Sequence, residues 1–447
     1  MNESFMTIQE AAEAWDISAR RIQVLCSEGR IPGAKKFGRQ WAIPTNSPKP
    51  DDARIRTGRF IRNADPVARG RAINRPKIFS FFSGSGFLDL GFENQNFNIV
   101  MANEYYPPFM DAYRYSREKM EIPEPQFGYY NGDINDFLTT KADELHQEIA
   151  EARADGSLVG FIGGPPCPDF SIAGKNKGRE GDNGKLSQSY VNLIIQMQPD
   201  FFLFENVKGL WKTARHRAFF EELKSQLKNA GYLTTDRLTN ALEYGAPQDR
   251  DRILMFGIQG RLINNDLTRL KNDFPWTRYQ LHSLDAVKSL PWPETDPFHE
   301  NVQTACPAGI PEELTIEYWF NRNDVENHPN AIDYFKPKAG IVRMQTVMEG
   351  DVSRKSYKRP HRWRYSPTAA YGNNEVHLHP YKSRRMSAAE TLAIQTLPQE
   401  FQLPPDMSLT DKFKTIGNGV PYVLAAGIAH SIHDYLTLVQ DQLRTNE

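Results

Sequence analysis

Leu158-Val159-Gly160-Phe161-Ile162-Gly163-Gly164-Pro165-Pro166-Cys167-Pro168 runs a short apolar stretch straight into two glycines, two prolines and a cysteine. The length and unbroken hydrophobicity of its first half predict a strand buried on both faces, as in a parallel sheet covered by helices. A second run, Phe201-Phe202-Leu203-Phe204, ends the same way in Glu205-Asn206-Val207. Residues that follow such strands sit at the carboxyl edge of the sheet, where open α/β folds take their ligands. The two stretches together predict an α/β domain with a parallel sheet that presents a thiol and a carboxylate, a nucleophile and an acid, on one edge.

Upstream, Ile78-Phe79-Ser80-Phe81-Phe82 is a further strand, followed by Ser83-Gly84-Ser85-Gly86 and a helix from about Phe87. Strand, glycine turn and helix let the backbone approach a ligand closely. The next strand, Ile99-Val100-Met101-Ala102, ends in Asn103-Glu104, which sets an acid where a ribose diol would lie one strand over, and Gly132-Asp133-Ile134 offers a second acid near a base. The pattern describes a nucleoside cofactor, and a dinucleotide satisfies it equally.

The bulk numbers set the frame. A chain of 447 residues with 39% hydrophobic and 24% charged content can build two or three cored domains. Its apolar runs are strand length, well below the roughly 20 residues of a membrane span, and the first residues lack a signal-peptide pattern, so a cytoplasmic, nucleoid-associated protein is expected. Cys26, Cys167 and Cys306 show no metal-ligand spacing and suit a reducing compartment; neither a disulfide framework nor a metal is expected. Net charge is only −1, yet residues 1–77 carry 15 Lys and Arg against 8 acids, and residues 351–385 carry 9 against 2. The second stretch interleaves its charge with Tyr357, Trp363, Tyr365 and Tyr371, a composition that suits phosphate and base contact as well as a solvated basic face.

At the start of the chain, Thr7 with Glu10 forms a capping-box pattern, and Ile8, Ala11, Ala12 and Trp15 follow at helical spacing. Ser18 opens a second helix with Ile22, Leu25 and Cys26 inward, and Lys35 to Trp41 reads as a basic hairpin. Helix, turn, helix and wing over residues 1–50 predict a winged helix-turn-helix. Residues 5–45 resemble the DNA-binding domains of excisionases and MerR-like regulators. That resemblance points Arg20, Arg21 and Gln23 at DNA and Lys35, Lys36 and Arg39 at phosphate or minor groove. Such units also serve as protein docking surfaces. Residues 51–76 read as a basic linker with one short helix around Ile55 to Ile61.

One ordered series remains: Phe82-Ser-Gly-Ser-Gly, Glu104, Asp133, Pro165-Pro166-Cys167, Glu205-Asn206-Val207, Gln248-Asp249-Arg250-Asp251-Arg252, Arg384-Arg385-Met386-Ser387 with Glu390, Gln395 and Pro398, and Gly417-Asn418-Gly419-Val420-Pro421. In this order it resembles the DNA cytosine-5 methyltransferases over residues 77–258 and 380–430. The departures are Phe87, where that family commonly has a second glycine, and Ala389, where it often has arginine. The resemblance implies a Rossmann-like, S-adenosyl-L-methionine-dependent catalytic domain over 77–258, completed by 381–447, with a target recognition domain inserted at 259–380.

The chemistry implied by the resemblance needs these residue types. Carbon 5 of cytosine is a weak nucleophile, so the Cys167 thiolate adds to carbon 6 and makes an enamine-like carbon that accepts a methyl group. Glu205 serves N3, Arg252 holds O2, and Arg250 buttresses the catalytic loop or a phosphate. The cofactor falls to Phe82, Gly84, Gly86, Phe87, Leu88, Glu104, Tyr105, Asp133, Ile134, Pro165, Asn418 and Val420. Double-stranded DNA is the expected partner, with Ser171 and Lys175 on a closing loop and Gln248, Arg354 and Arg362 at further contacts, because a stacked cytosine must be flipped out to react. The expected setting is a restriction-modification or defence system, with a cognate endonuclease encoded nearby. A tRNA cytosine methyltransferase and a DNA-binding regulator with an inactive methyltransferase body are the alternatives.

Overall fold

The computed structural model describes residues 5–15, 19, 22, 23, 26, 31, 33–37, 40–45, 47, 74–166, 182–336, 341–368 and 376–445. The chain divides into two compact units, residues 1–65 and 66–447.

In the first unit, β1 (Phe5–Met6) leads into α1 (Ile8–Trp15), and β2 (Lys35–Phe37) pairs antiparallel with β3 (Gln40–Pro44), which also pairs with β1. The expected capping box forms: Glu10 N–H donates to Thr7 Oγ1 at 3.2 Å and Thr7 N–H to Glu10 Oε2 at 2.7 Å. Ala11, Trp15, Ile22, Cys26, Ile31 and Ile43 close a small core, so Cys26 is a packing residue. The expected helix around Ile55 to Ile61 lies outside the described residues.

The second unit opens with β4 (Lys77–Phe81), α2 (Phe87–Glu93), β5 (Asn98–Glu104), α3 (Pro107–Lys119) and β6 (Tyr129–Asn131). It continues through α4 (Ala142–Arg153), β7 (Val159–Gly163), α5 (Asp182–Met197), β8 (Phe201–Val207), α6 (Ala214–Asn229), β9 (Tyr232–Asn240), β10 (Gln248–Asp249) and β11 (Asp251–Gln259). Among the described residues a seven-stranded sheet runs in the order β6-β5-β4-β7-β8-β11-β9. Strands alternate their side chains between two cores. Phe201, Leu203, Leu254 and Phe256 face one; Phe202, Phe204, Ile253 and Met255 face the other. The last helices, α7 (Ala388–Ile394), α8 (Leu409–Asn418) and α9 (Tyr422–Thr445), return to the sheet, and α9 joins the first core through Leu424, Ile428, Ile432 and Leu436.

The sheet is mixed, which corrects the expectation of a parallel one. β6, β5, β4, β7 and β8 are parallel neighbours, but β11 is antiparallel to both β8 and β9. The cause is the short link from β9 to β11, too short for the crossover that a parallel strand requires. The consequence is functional. Glu205 pairs with Leu254 in register, so Arg252, two residues away on the same face, becomes the diagonal neighbour of Glu205. A parallel β11 would carry the start of that strand to the opposite edge.

Candidate active site

The chain order reverses at β4, whose neighbours are β5 on one side and β7 on the other. The carboxyl ends of β4, β5 and β7 stop level, with Phe81 paired to both Asn103 and Gly163. A crevice forms at such a switch point. It is a cavity of about 730 Å³, within the range of small-molecule sites.

At one end, Phe82 and Gly84 adopt left-handed backbone, φ 54° and 57°, turning the chain from β4 toward α2. A Cβ added at Gly84 meets no atom within 4 Å, so that residue leaves room for a ligand against bare backbone. Glu104, at the end of β5, accepts Gly84 N–H at 2.9 Å on Oε2 and Tyr106 N–H at 2.8 Å on Oε1. Each oxygen retains acceptor capacity, the arrangement a vicinal diol needs. Burial raises the Glu104 carboxyl above its ordinary range, opposed by those N–H groups and by the charge of Lys414. Tyr105 is 69% exposed on the rim, its ring available for stacking. Asp133 caps the turn that begins at Ile134 by accepting Asn135 N–H at 2.9 Å. Phe87, Leu88, Ile134, Pro165, Asn418 and Val420 also line the cavity. Gly86 does not. It sits behind the wall, its carbonyl accepting Arg117 Nη2 at 2.7 Å.

At the other end, Arg252 Nε donates to Glu205 Oε1 at 2.7 Å, with both side chains largely buried. Arg252 Nη1 donates to Asp251 O at 2.8 Å; its Nη2 has no hydrogen-bond partner among the described residues. Asn206 Nδ2 reaches Pro165 O at 3.4 Å, tying the proline turn to β8. Gly164 is required here: a Cβ would stand 2.7 Å from Glu205 Oε2. Cys167, Ser171 and Lys175 lie outside the described residues, as do Arg20, Arg21 and Arg39. Pro166, the residue before Cys167, lines the cavity that holds Glu205 and Arg252.

Three expected contacts need correction. Gln248 is fully buried in β10, which pairs with β12 (Ser366–Pro367), so it cannot reach DNA. Arg362 is 4% exposed and locked on Glu349 by Nη2 at 2.7 Å and Nε at 2.8 Å. A buried arginine survives by pairing, and sequence alone does not separate it from a basic surface. For Arg250 the phosphate alternative falls: it is 1% exposed and donates to Gly417 O at 2.8 Å, bracing that wall of the cavity, while the catalytic loop lies outside the described residues. Arg354, Gln23, Lys35 and Lys36 are exposed.

Sequence reading missed the polar layer under the glycine turn. Asp89, Tyr113 and Arg117 are all buried there, and Thr415 closes the far side with its hydroxyl 2.6 Å from that of Ser85. Asp89 precedes Phe92 by three residues, on the inward stripe of α2, and that spacing was the available signal.

Residues 76–434 match the model of the C-5 cytosine-specific DNA methylases. The chain belongs to that family. Residues 5–47 match a helix-turn-helix domain. The methylase is 55% identical over 370 residues to the Type II methyltransferase M.NmeDI of Neisseria meningitidis serogroup C, covering 83% of this chain and 86% of the relative. It is 30% identical to the Type II methyltransferase M.FnuDI of Fusobacterium nucleatum, covering 81% of this chain and 95% of that one. Its fold is similar to that of a DNA modification methyltransferase encoded within an E. coli prophage, with a TM-score of 0.54, 20% identity, and coverage of 81% of this chain and 99% of the other. The methylase is thus an enzyme acting on DNA cytosine, on an α/β methyltransferase sheet with a helix-turn-helix at its N-terminal end. No helix among the described residues is long and apolar enough to cross a membrane.

Proposed function

We propose that this methylase transfers the methyl group of S-adenosyl-L-methionine to carbon 5 of a cytosine flipped out of double-stranded DNA, through a covalent adduct with Cys167. The observation that carries the reading is the Glu205–Arg252 pair at 2.7 Å, set in the same cavity as the Glu104 diol site and bordered by Pro166. When bound, the cofactor supplies an electrophilic methyl group on a sulfonium. Gly84 and Glu104 hold its ribose, Tyr105 and Ile134 flank its base, Asp133 takes its exocyclic amine, and Asn418 and Val420 close the wall. Cys167 adds as thiolate to carbon 6. Glu205 protonates or hydrogen-bonds N3 while Arg252 holds O2, so that the charge pushed into the ring falls on fixed partners in a site shielded from water. As the bond from carbon 5 to the methyl group forms, the methyl–sulfur bond would break and leave the thioether S-adenosylhomocysteine; the carbon 5 proton then passes to a water molecule, the Cys167–carbon 6 bond breaks, and a proton lent to N3 returns to Glu205, restoring the aromatic ring and the thiolate.

The Type II names of the two relatives support a role in restriction-modification, with a cognate nuclease encoded nearby. DNA contacts are assigned to Ser171 and Lys175 on the loop after Cys167 and to Arg354 in the recognition region, residues 259–380. The N-terminal winged helix, with Arg20, Arg21, Gln23, Lys35, Lys36 and Arg39 toward DNA, represses the gene's own promoter. That clause fails if deleting residues 1–50 leaves promoter occupancy and reporter expression unchanged.

The test is bisulfite sequencing of plasmid DNA from a methylation-free host carrying wild type or Cys167→Ser. One short motif with a modified cytosine, lost in the variant, is the expected result. Soluble wild type that leaves DNA unmodified, and instead places labelled methyl on tRNA, refutes it.

A further inference from the structure

Beneath the glycine turn lies a polar layer that the reaction does not use. Asp89 is fully buried on the inner face of α2, in the floor of the cofactor cavity. Ser80 Oγ donates to its Oδ1 at 2.9 Å, and Tyr113 OH donates to its Oδ2 at 2.9 Å. Ser83 Oγ, in the turn itself, donates to Ser80 Oγ at 3.0 Å and lies 3.1 Å from Asn103 O. A continuous chain of hydroxyls therefore runs from the Asp89 carboxylate to the strand that ends in Glu104. From the other side, Arg117 holds Gly86 O and pairs with Glu93 at 3.0 Å. The turn is pressed onto this layer: a Cβ at Gly86 would lie 2.6 Å from the Tyr113 ring and 2.8 Å from Arg117 Nη2. Phe82, left-handed without being glycine, holds a conformation that persists only where its surroundings over-determine it.

We propose that Asp89 is a positioning residue for the cofactor: by accepting from Ser80 and Tyr113 its carboxylate fixes the glycine turn in its binding shape, so that cofactor affinity follows the protonation of a group that touches no reacting atom. This rests on the reading of the cavity as an S-adenosyl-L-methionine site. The donor set matches the ionised form. Both neighbours point their single hydroxyl hydrogens at the carboxylate; a protonated carboxyl sends a hydrogen of its own toward one of them, so Ser80 or Tyr113 must turn its hydrogen away and the pair of donated bonds that holds the turn is broken up. Burial pushes Asp89 up to about 7, with Glu93 adding to the rise, while Arg117, Ser80 and Tyr113 oppose it. Beyond these, Tyr129 acts on Tyr113, and Tyr422 of α9 feels Glu93. α9 meets α2 itself through apolar contact, Ala425 against Gly91.

The direction follows. Above about 7 the carboxylate form prevails and the turn is set; below it the competent fraction shrinks, and apparent affinity falls in proportion. Between pH 8 and pH 6 that fraction drops from about 0.9 to about 0.1, so binding weakens roughly tenfold. The experiment is calorimetric titration of the full chain with S-adenosylhomocysteine from pH 6 to 8, for wild type and Asp89→Asn. The ligand's own ionisations are common to both, so the ratio of the two profiles isolates Asp89. A roughly tenfold pH dependence present in wild type and absent from the variant supports the proposal; identical profiles overturn it. Tyr113→Phe removes one donor from the carboxylate and keeps the test open if Asp89→Asn does not fold. Its inflection should move to higher pH, and an unmoved inflection overturns the proposal. Folded wild type that binds the ligand at no pH overturns the cofactor reading itself, and this proposal with it.

Discussion

Gly164→Ala is a one-carbon change that should disable the enzyme without unfolding it. The added Cβ would lie 2.7 Å from Glu205 Oε2, closer than carbon and oxygen approach without strain. To restore an ordinary contact of 3.4 Å the carboxylate must retreat by about 0.7 Å. It cannot do so freely, because Arg252 holds the other oxygen at 2.7 Å and the register of β8 with β11 fixes both backbones. Misplacing a reacting group by about 1 Å costs on the order of 100-fold, so kcat should fall roughly 30- to 100-fold, about 2–3 kcal/mol in the barrier. Gly164 is not left-handed, so alanine brings no backbone penalty. The assay is single-turnover transfer of labelled methyl to unmethylated plasmid DNA, with a melting curve and cofactor binding as controls. Glu205→Gln provides the scale: if the glycine acts through Glu205, the double variant should be no slower than Glu205→Gln alone. A Gly164→Ala enzyme within about threefold of wild type, or a strictly additive double variant, refutes the reasoning.

Arg362→Ala should cost about 3–5 kcal/mol of stability by leaving the buried Glu349 charge alone, read by urea denaturation. Arg354→Ala should leave stability unchanged and lower the slope of log affinity against log salt by about 1. Arg250→Ala removes the clamp on the Gly417 carbonyl, a charged hydrogen bond of about 1.5–3 kcal/mol, and should raise the cofactor KM by roughly 10-fold or more. His377 is held down at about 3 by burial, then by Lys358 and Arg385. The folded chain therefore binds this proton less readily than the unfolded one, and stability present above about 6.5 drains away as pH falls toward 3, by about 2 kcal/mol at pH 5. Because buried Asp89, raised to about 7, works in the opposite direction over the same range, the readout is the difference in urea stability between wild type and His377→Gln; a difference that is the same at pH 7.5 and pH 5 contradicts this.

The parts of the fold legible in sequence were those that local chemistry dictates. An apolar run followed by glycine or an acid marks a strand end whatever the sheet, so β4, β5, β7 and β8 and the residues at their tips could be read directly. The Thr7–Glu10 box is likewise a three-residue event. The direction of β11 was hidden, because a strand buried on both faces carries the same pattern whether it runs parallel or antiparallel. Burial of charge was hidden too. Arg354 and Arg362 look alike in a basic stretch, and the difference lies in Glu349, brought in from 13 residues away. Asp89 was overlooked for a related reason: an acid on a helix reads as solvated until Ser80 and Tyr113, from a strand and a second helix, close on it.

The hydroxyls of Ser85 and Thr415 touch across 330 residues of chain. A ribosome adding roughly 5–20 residues per second takes about 17 to 66 seconds to supply the second after the first. At the start of that interval the chain carries only the helix-turn-helix and the first strand of the sheet; by its end Glu104, Glu205 and Arg252 are in place as well, with one wall of the cavity still missing. The helix-turn-helix is thus synthesised first and the segment that completes the cavity last. A message broken before α8 yields a chain that keeps the helix-turn-helix and lacks the residues that close the cavity.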